Sequence, residues 1–74
     1  MEDPVSGYAV VIEQAEGNFS AYVPDLPGCV ATGATDREVR SHIAEAIRLH
    51  VESLRAHGEP VPPPTSTTAS VEVA

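Results

Sequence analysis

Apolar positions change their period near residue 35, and that change divides the chain into a β-rich first half and one helix. Tyr8–Glu13 (YAVVIE) is rich in β-branched residues and too short for a stable amphipathic helix, which predicts strand one. Gln14–Asn18 contains Gly17 and Asn18, residues that tolerate positive φ, and reads as a hairpin loop. Phe19–Val23 predicts strand two: a period of two sets Phe19, Ala21 and Val23 on one face and Ser20 and Tyr22 on the other. Pro24 and Pro27 each fix φ and lack an N–H, so ladder pairing stops after Val23, and Asp25 and Gly28 complete a tight connection. Cys29–Ala34 then predicts strand three and closes an antiparallel meander.

Thr35 precedes Glu38 by three positions, the spacing of a capping box, and a helix is expected from about Asp36 to His57. At about 100° per residue, Val39, Ile43, Ala46, Ile47, His50 and Leu54 form one stripe with Val51 at its margin. Glu45 with Arg48, and Glu52 with Arg55, sit three apart on the solvated side. Gly58 supplies a left-handed stop and Pro60 prevents resumption. A Pro and Ser/Thr segment at 61–69 reads as an extended connection, and Ser70–Ala74 (SVEVA) alternates as a fourth strand would. A strand returning through a helix to the same sheet pairs parallel and right-handed, which places strand four beside strand one in the order 3-2-1-4. The expected class is therefore α+β, β-β-β-α-β, one domain over 1–74 with a loose tail at 1–6 and one helix on one face of the sheet. The other face, carrying either Tyr8, Val10 and Ile12 or Ala9 and Val11, must be wet or covered by another chain.

Composition narrows the function classes. A chain of 74 residues buries only roughly 60% of its unfolded surface, so association with a second copy or a partner is expected. Three aromatic residues, Tyr8, Phe19 and Tyr22, leave a thin aliphatic core. The net charge of −7, with all four basic residues being arginines of the helix (Arg37, Arg40, Arg48, Arg55), disfavours nucleic acid and anionic lipid; it either favours a basic protein or merely keeps a small domain soluble. Cys29 alone permits no internal disulfide, and with no apolar run long enough for a bilayer and no signal peptide the expected location is the cytoplasm.

Taken together, YAVVIE, then FSAYVPDLPGCVATGAT, then a helix containing LHVESL and leaving through HGEPVP, resembles the HicB family of bacterial type II antitoxins over about Tyr8–Ala74. The resemblance implies the same strand order, part of a ribonuclease H-like topology. It also implies a partner, a HicA-type toxin, which is a small basic ribonuclease that cleaves mRNA with a catalytic histidine. On that view the chain is a non-catalytic antitoxin that inhibits by occupancy. The expected contact carriers are Pro24, Asp25, Leu26, Pro27 and Gly28 of the turn, together with the acidic residues Glu13, Glu16, Glu45 and Glu52. Many members continue into a DNA-binding module; these residues stop at Ala74, so no direct DNA binding is expected of them. The alternative is a structural or scaffolding homo-oligomer, dimer or tetramer, of the same fold without a toxin.

Catalysis finds little to work with. Two-metal nuclease chemistry requires several carboxylates converging from strand centres, and the strands offer only Glu13 and Glu72. His42, His50 and His57 lie eight and seven apart, not at the four-residue spacing of helical zinc pairs, so neither a metal nor another cofactor is expected. His50, in the apolar stripe, reads as a packed imidazole, with a pH-sensitive contact as its functional alternative. Cys29 reads as a buried small apolar residue and not as a nucleophile. Asp25, between two prolines, reads as a turn former accepting local backbone N–H groups, or else as a partner for a cation. Thr35, Glu38 and Gly58 are structural.

Overall fold

The computed structural model describes residues 7–73. Three strands and one helix follow in chain order: β1 (Val11–Ala15), β2 (Asn18–Tyr22), β3 (Val30–Gly33) and α1 (Asp36–Ala56). The sheet is an antiparallel meander in the order β1-β2-β3. Its strand ends differ from the sequence reading. β1 begins at Val11 and runs on through Gln14 and Ala15, which leaves Glu16 and Gly17 as the whole hairpin loop. Gly17 takes φ +83°, so the turn gets its left-handed residue at the second loop position. The tail expected at 1–6 lies outside the described residues.

Period-two alternation sorts the sheet into two faces. Ile12, Ala21 and Ala31 share one cross-strand row, and Ala21 is buried while its neighbours pack on the core. That row, with Tyr8 and Val10 upstream, faces the helix. Val11, Tyr22 and Val30 form the adjacent row on the opposite, open face. The helix lies mainly over β3 and β2. Gly33 allows this: a Cβ there would stand 2.6 Å from the Val39 backbone nitrogen and 2.9 Å from its Cα.

The capping reading holds, with one shift. Thr35 is the N-cap, its Oγ1 accepting the Glu38 N–H at 3.0 Å, while the Glu38 carboxylate reaches past the cap to accept the Ala34 N–H at 3.2 Å. At the other end Gly58 has φ +68°; its N–H donates to Arg55 O at 3.1 Å and the Glu59 N–H to Leu54 O at 2.8 Å, a Schellman closure. The buried stripe is Val39, Ile43, Ile47 and Val51, with Val51 only 1% exposed and His50 half-buried at its margin. This reverses the expected places of Val51 and His50. The buried residues step by four, one of the ridges along which helix surfaces pack, and Val51, not His50, continues that row. Of the two expected ion pairs, Glu45–Arg48 forms at 2.9 Å; the second pair among the described residues is Asp36–Arg40 at 2.6 Å, not Glu52–Arg55.

The fourth strand is a correction. Residues 70–73 carry no strand, Val71 and Val73 are 79% and 89% exposed, and no parallel pairing occurs among the described residues, so neither the order 3-2-1-4 nor the ribonuclease H-like topology built on it is seen among them. Ala74 lies outside the described residues. Ordering the tail costs about 1–2 kcal/mol per residue in backbone freedom. Burying a valine returns about 1.5–3 kcal/mol. With only two valines in the segment the balance does not favour pairing.

Candidate partner-binding surface

The turn after β2 is two tight turns in series, and its prolines account for both. Leu26 N–H donates to Val23 O at 3.1 Å, with Pro24 and Asp25 between them; Cys29 N–H donates to Leu26 O at 3.0 Å, with Pro27 and Gly28 between them. Proline occupies the second position of each turn, and Gly28, at φ +84°, supplies the left-handed third position of the second. A Val23 N–H to Cys29 O bond at 3.2 Å closes the base. Between the two turns Leu26 points inward and is fully buried, flanked in the core by Val23 and Cys29. Of the five turn residues expected to meet a partner, Leu26 therefore offers no surface, while Pro24, Pro27 and Gly28 are exposed. Burial also raises the Cys29 thiol above its ordinary pKa, which suits packing and not nucleophilic attack.

Asp25 is occupied. Its Oδ2 accepts the backbone N–H groups of Thr65 and Ser66, each at 2.9 Å, and its Oδ1 accepts their hydroxyls at 3.0 and 2.9 Å. The Ser66 and Thr65 N–H groups, in that order, hold the carboxyl down at about 2, against 3.8 ordinarily. Asp25 thus forms a turn as expected, but its hydrogen bonds go to the returning connection and not to its own loop. A second pin lies beside it: the Tyr8 hydroxyl donates to Pro62 O. The connection at 61–69 is tied to the body through these two side chains, which no local pattern announces. Beyond them, Thr68 and Ser70 line a groove of about 870 Å³ whose other walls include Tyr8, Ile12, Arg40, Ile43 and Ile47.

The remaining acidic candidates separate into two groups. Glu45 is paired with Arg48, and with Glu52 it lies exposed on the helix among the arginines. Glu13, near the middle of β1, and Glu16, in the hairpin, are exposed on the sheet side. Outside α1 the described residues carry Glu13, Glu16, Asp25, Glu59 and Glu72 and no lysine or arginine. The cations are therefore segregated: all four arginines are on the helix, beside four carboxylates, while the sheet side carries carboxylates alone. Glu13 faces Ser20, which faces Thr32, a polar row beside the apolar row Val11, Tyr22 and Val30. Tyr22 is 42% exposed and Val30 65%. Sequence reasoning left Tyr22 and Val30 out of the site, although strand alternation had already set Tyr22 on the face away from Ala21 and Val23.

The histidines serve local ends. His42 Nδ1 lies 2.7 Å from Thr32 O and ties the helix to β3, and His57 Nδ1 lies 2.8 Å from Ser53 O in the last turn. No helix among the described residues is long and apolar enough to cross a membrane.

Comparison with known proteins agrees with this geometry. Residues 8–73 match the profile of a family described as HicB-like antitoxin of bacterial toxin-antitoxin systems. A UPF0150 protein of Thermoplasma acidophilum is 45% identical over 56 residues, covering 74% of this chain and 81% of the relative. A UPF0150 protein of Synechocystis is 41% identical over 59 residues, covering 78% and 75%. Among solved structures, a chain of the HicA3 and HicB3 toxin-antitoxin complex superposes with a TM-score of 0.69 at 33% identity, over 80% of this chain and 70% of that one.

Proposed function

Because this chain belongs to the HicB-like antitoxin family of bacterial toxin-antitoxin systems, we propose that it acts by binding: it covers the RNA-cleaving surface of a small basic HicA-type toxin in the cytoplasm and breaks no bond itself. The observation that carries this reading is the segregation of charge. A sheet side with carboxylates and no cation steers a basic protein toward it and repels RNA, so occupancy by the antitoxin excludes the toxin's substrate. The solved relative comes from a complex of toxin and antitoxin, which supports a toxin as the partner here. The same charge balance argues against direct nucleic-acid binding by these residues, since two of the four helix arginines are already engaged by Asp36 and Glu45. The test is to mix the purified chain with a HicA-type toxin at moderate salt and follow both complex formation and RNA cleavage. A stoichiometric complex with loss of cleavage is expected; neither effect at micromolar concentrations removes the proposal.

A second reading, a homo-oligomeric scaffold, is favoured by the outer edge of β1, which pairs with no other strand among the described residues and can extend the sheet into another copy. Sedimentation equilibrium separates the two. A dimer or tetramer that gives no response to toxin supports the scaffold, and a monomer that inhibits cleavage excludes it.

A further inference from the structure

Resting on the antitoxin reading, we infer that the basic partner docks on the open face of the sheet, over the row Val11–Tyr22–Val30 and the row Glu13–Ser20–Thr32, and not on the Pro24–Gly28 turn or the helix. Three observations assign this face. First, the helix covers only the opposite side, so the row Val11, Tyr22 and Val30 stands across all three strands with no element among the described residues over it. β-propensity accounts for valine and tyrosine in strands, but an open antiparallel face is otherwise expected to be polar. Second, the competing surfaces are spent or of mixed sign. The Asp25 carboxylate already accepts four hydrogen bonds, Leu26 is buried, and the helix mixes all four arginines with the carboxylates of Asp36, Glu38, Glu45 and Glu52. Third, the face pairs its apolar row with charge. Glu13 is the diagonal neighbour of Tyr22 in the ladder, and such neighbours lie about 7–8 Å apart, within reach of one long side chain.

The occupant this chemistry selects is an arginine-bearing protein surface. One guanidinium over the Tyr22 ring meets a cation–π surface while its edge donates to the Glu13 carboxylate. Val11 and Val30 receive the aliphatic part of the same contact. Ser20 and Thr32, short hydroxyl side chains, let the partner approach closely. Glu16, at the hairpin tip, extends the anionic rim.

The experiment is amide chemical-shift mapping of the labelled full chain with two probes: a HicA-type toxin with its catalytic histidine replaced, and an alternating arginine–valine peptide. Toxin-induced shifts at Val11, Glu13, Tyr22, Val30 and Thr32 are expected. Affinity should fall roughly tenfold or more in the Tyr22→Ser/Val30→Thr variant. Glu13→Lys, an exposed charge reversal that leaves the apolar row intact, should fall likewise, and Leu49→Ser on the outer helix face should bind as the parent does. Toxin shifts gathered on the helix or on Pro24–Gly28 overturn the assignment of the face and leave the antitoxin reading standing. Binding of the peptide at this face without any toxin binding upholds the face and overturns the antitoxin reading. Binding of neither probe at the face overturns the inference.

Discussion

The carboxylate of Asp25 accepts the N–H of Thr65 at 2.9 Å across forty positions of chain. With Ser66 as the second donor, this contact makes the turn after β2 the anchor of the C-terminal connection. Its folded pKa of about 2 lies below the ordinary 3.8. The ionised form is the one favoured by folding, so the contribution is complete above the unfolded pKa and is lost as pH falls from about 4 through about 2. Asp25→Asn keeps the size and removes the charge. It is expected to lower the thermal midpoint at pH 7 and to flatten the midpoint's dependence on pH between those two values. Amide exchange at Thr65 and Ser66 should accelerate in the variant while exchange in β2 is unchanged. A variant with the parent's acid profile would show that the anchor contributes nothing.

Tyr8 titrates at the other end of the scale. Burial, reinforced by the negative charge of Asp25, raises its pKa above the ordinary 10.0. Here the neutral form is favoured by folding. The unfolded phenol loses its proton first, so stability is full below about pH 10 and declines as pH rises through the unfolded and then the folded value. Tyr8→Phe keeps the ring in the core and deletes the hydroxyl that donates to Pro62 O. The variant should lose about 0.5–1.5 kcal/mol at neutral pH. Its stability loss above pH 10 should shrink with it, leaving only the part due to other groups. Urea denaturation at pH 7 and at pH 10.5 measures both effects.

Gly33 packs directly against the backbone of the first helical turn. Alanine there would set its Cβ 2.6 Å from the Val39 backbone nitrogen, and backbone cannot yield as a flexible side chain does. Gly33→Ala is expected to cost about 1–3 kcal/mol, seen as a lower urea midpoint with an unchanged slope. Thr32→Ala, one residue earlier on an exposed side chain, should change stability by no more than about 0.5 kcal/mol. Equal effects at both positions would show that the helix has room to move away.

Much of this architecture is legible in the chain because it is local. Thr35, Glu38 and Gly58 mark the helix ends through bonds that span three to five residues, and alternation fixes which of Ala21 and Tyr22 points inward. Burial along the helix was harder to read, since Val51 outranks His50 only once the row that packs on the sheet is known. The fourth strand failed for an energetic reason, as alternation in SVEVA permits pairing but supplies too little apolar area to enforce it. The Asp25 anchor was beyond reach for a topological one: Thr65 and Ser66 are ordinary residues of a polar connection until the fold brings them beside the turn. Glu13 and Glu16 could be found from charge alone, whereas Tyr22 and Val30 acquire meaning only from the cross-strand register.

Leu26 separates folding from recognition. It sits in the turn whose neighbours Pro24, Pro27 and Gly28 are exposed, yet its own side chain is among the largest that are fully buried. Truncation to alanine opens a cavity under two linked turns whose prolines resist collapse, so the expected cost is near the upper part of the usual range of about 2–5 kcal/mol. A single core in a domain this small rarely supplies more than about 3–5 kcal/mol in total. Leu26→Ala should therefore be largely unfolded at 37 °C, with loss of helical circular dichroism, and any loss of partner binding should follow the unfolded fraction. Pro27→Ala, exposed in the same turn, should stay folded and bind as the parent does if the partner docks elsewhere. A folded Leu26→Ala that has lost binding would place this side chain in the contact and not in the core.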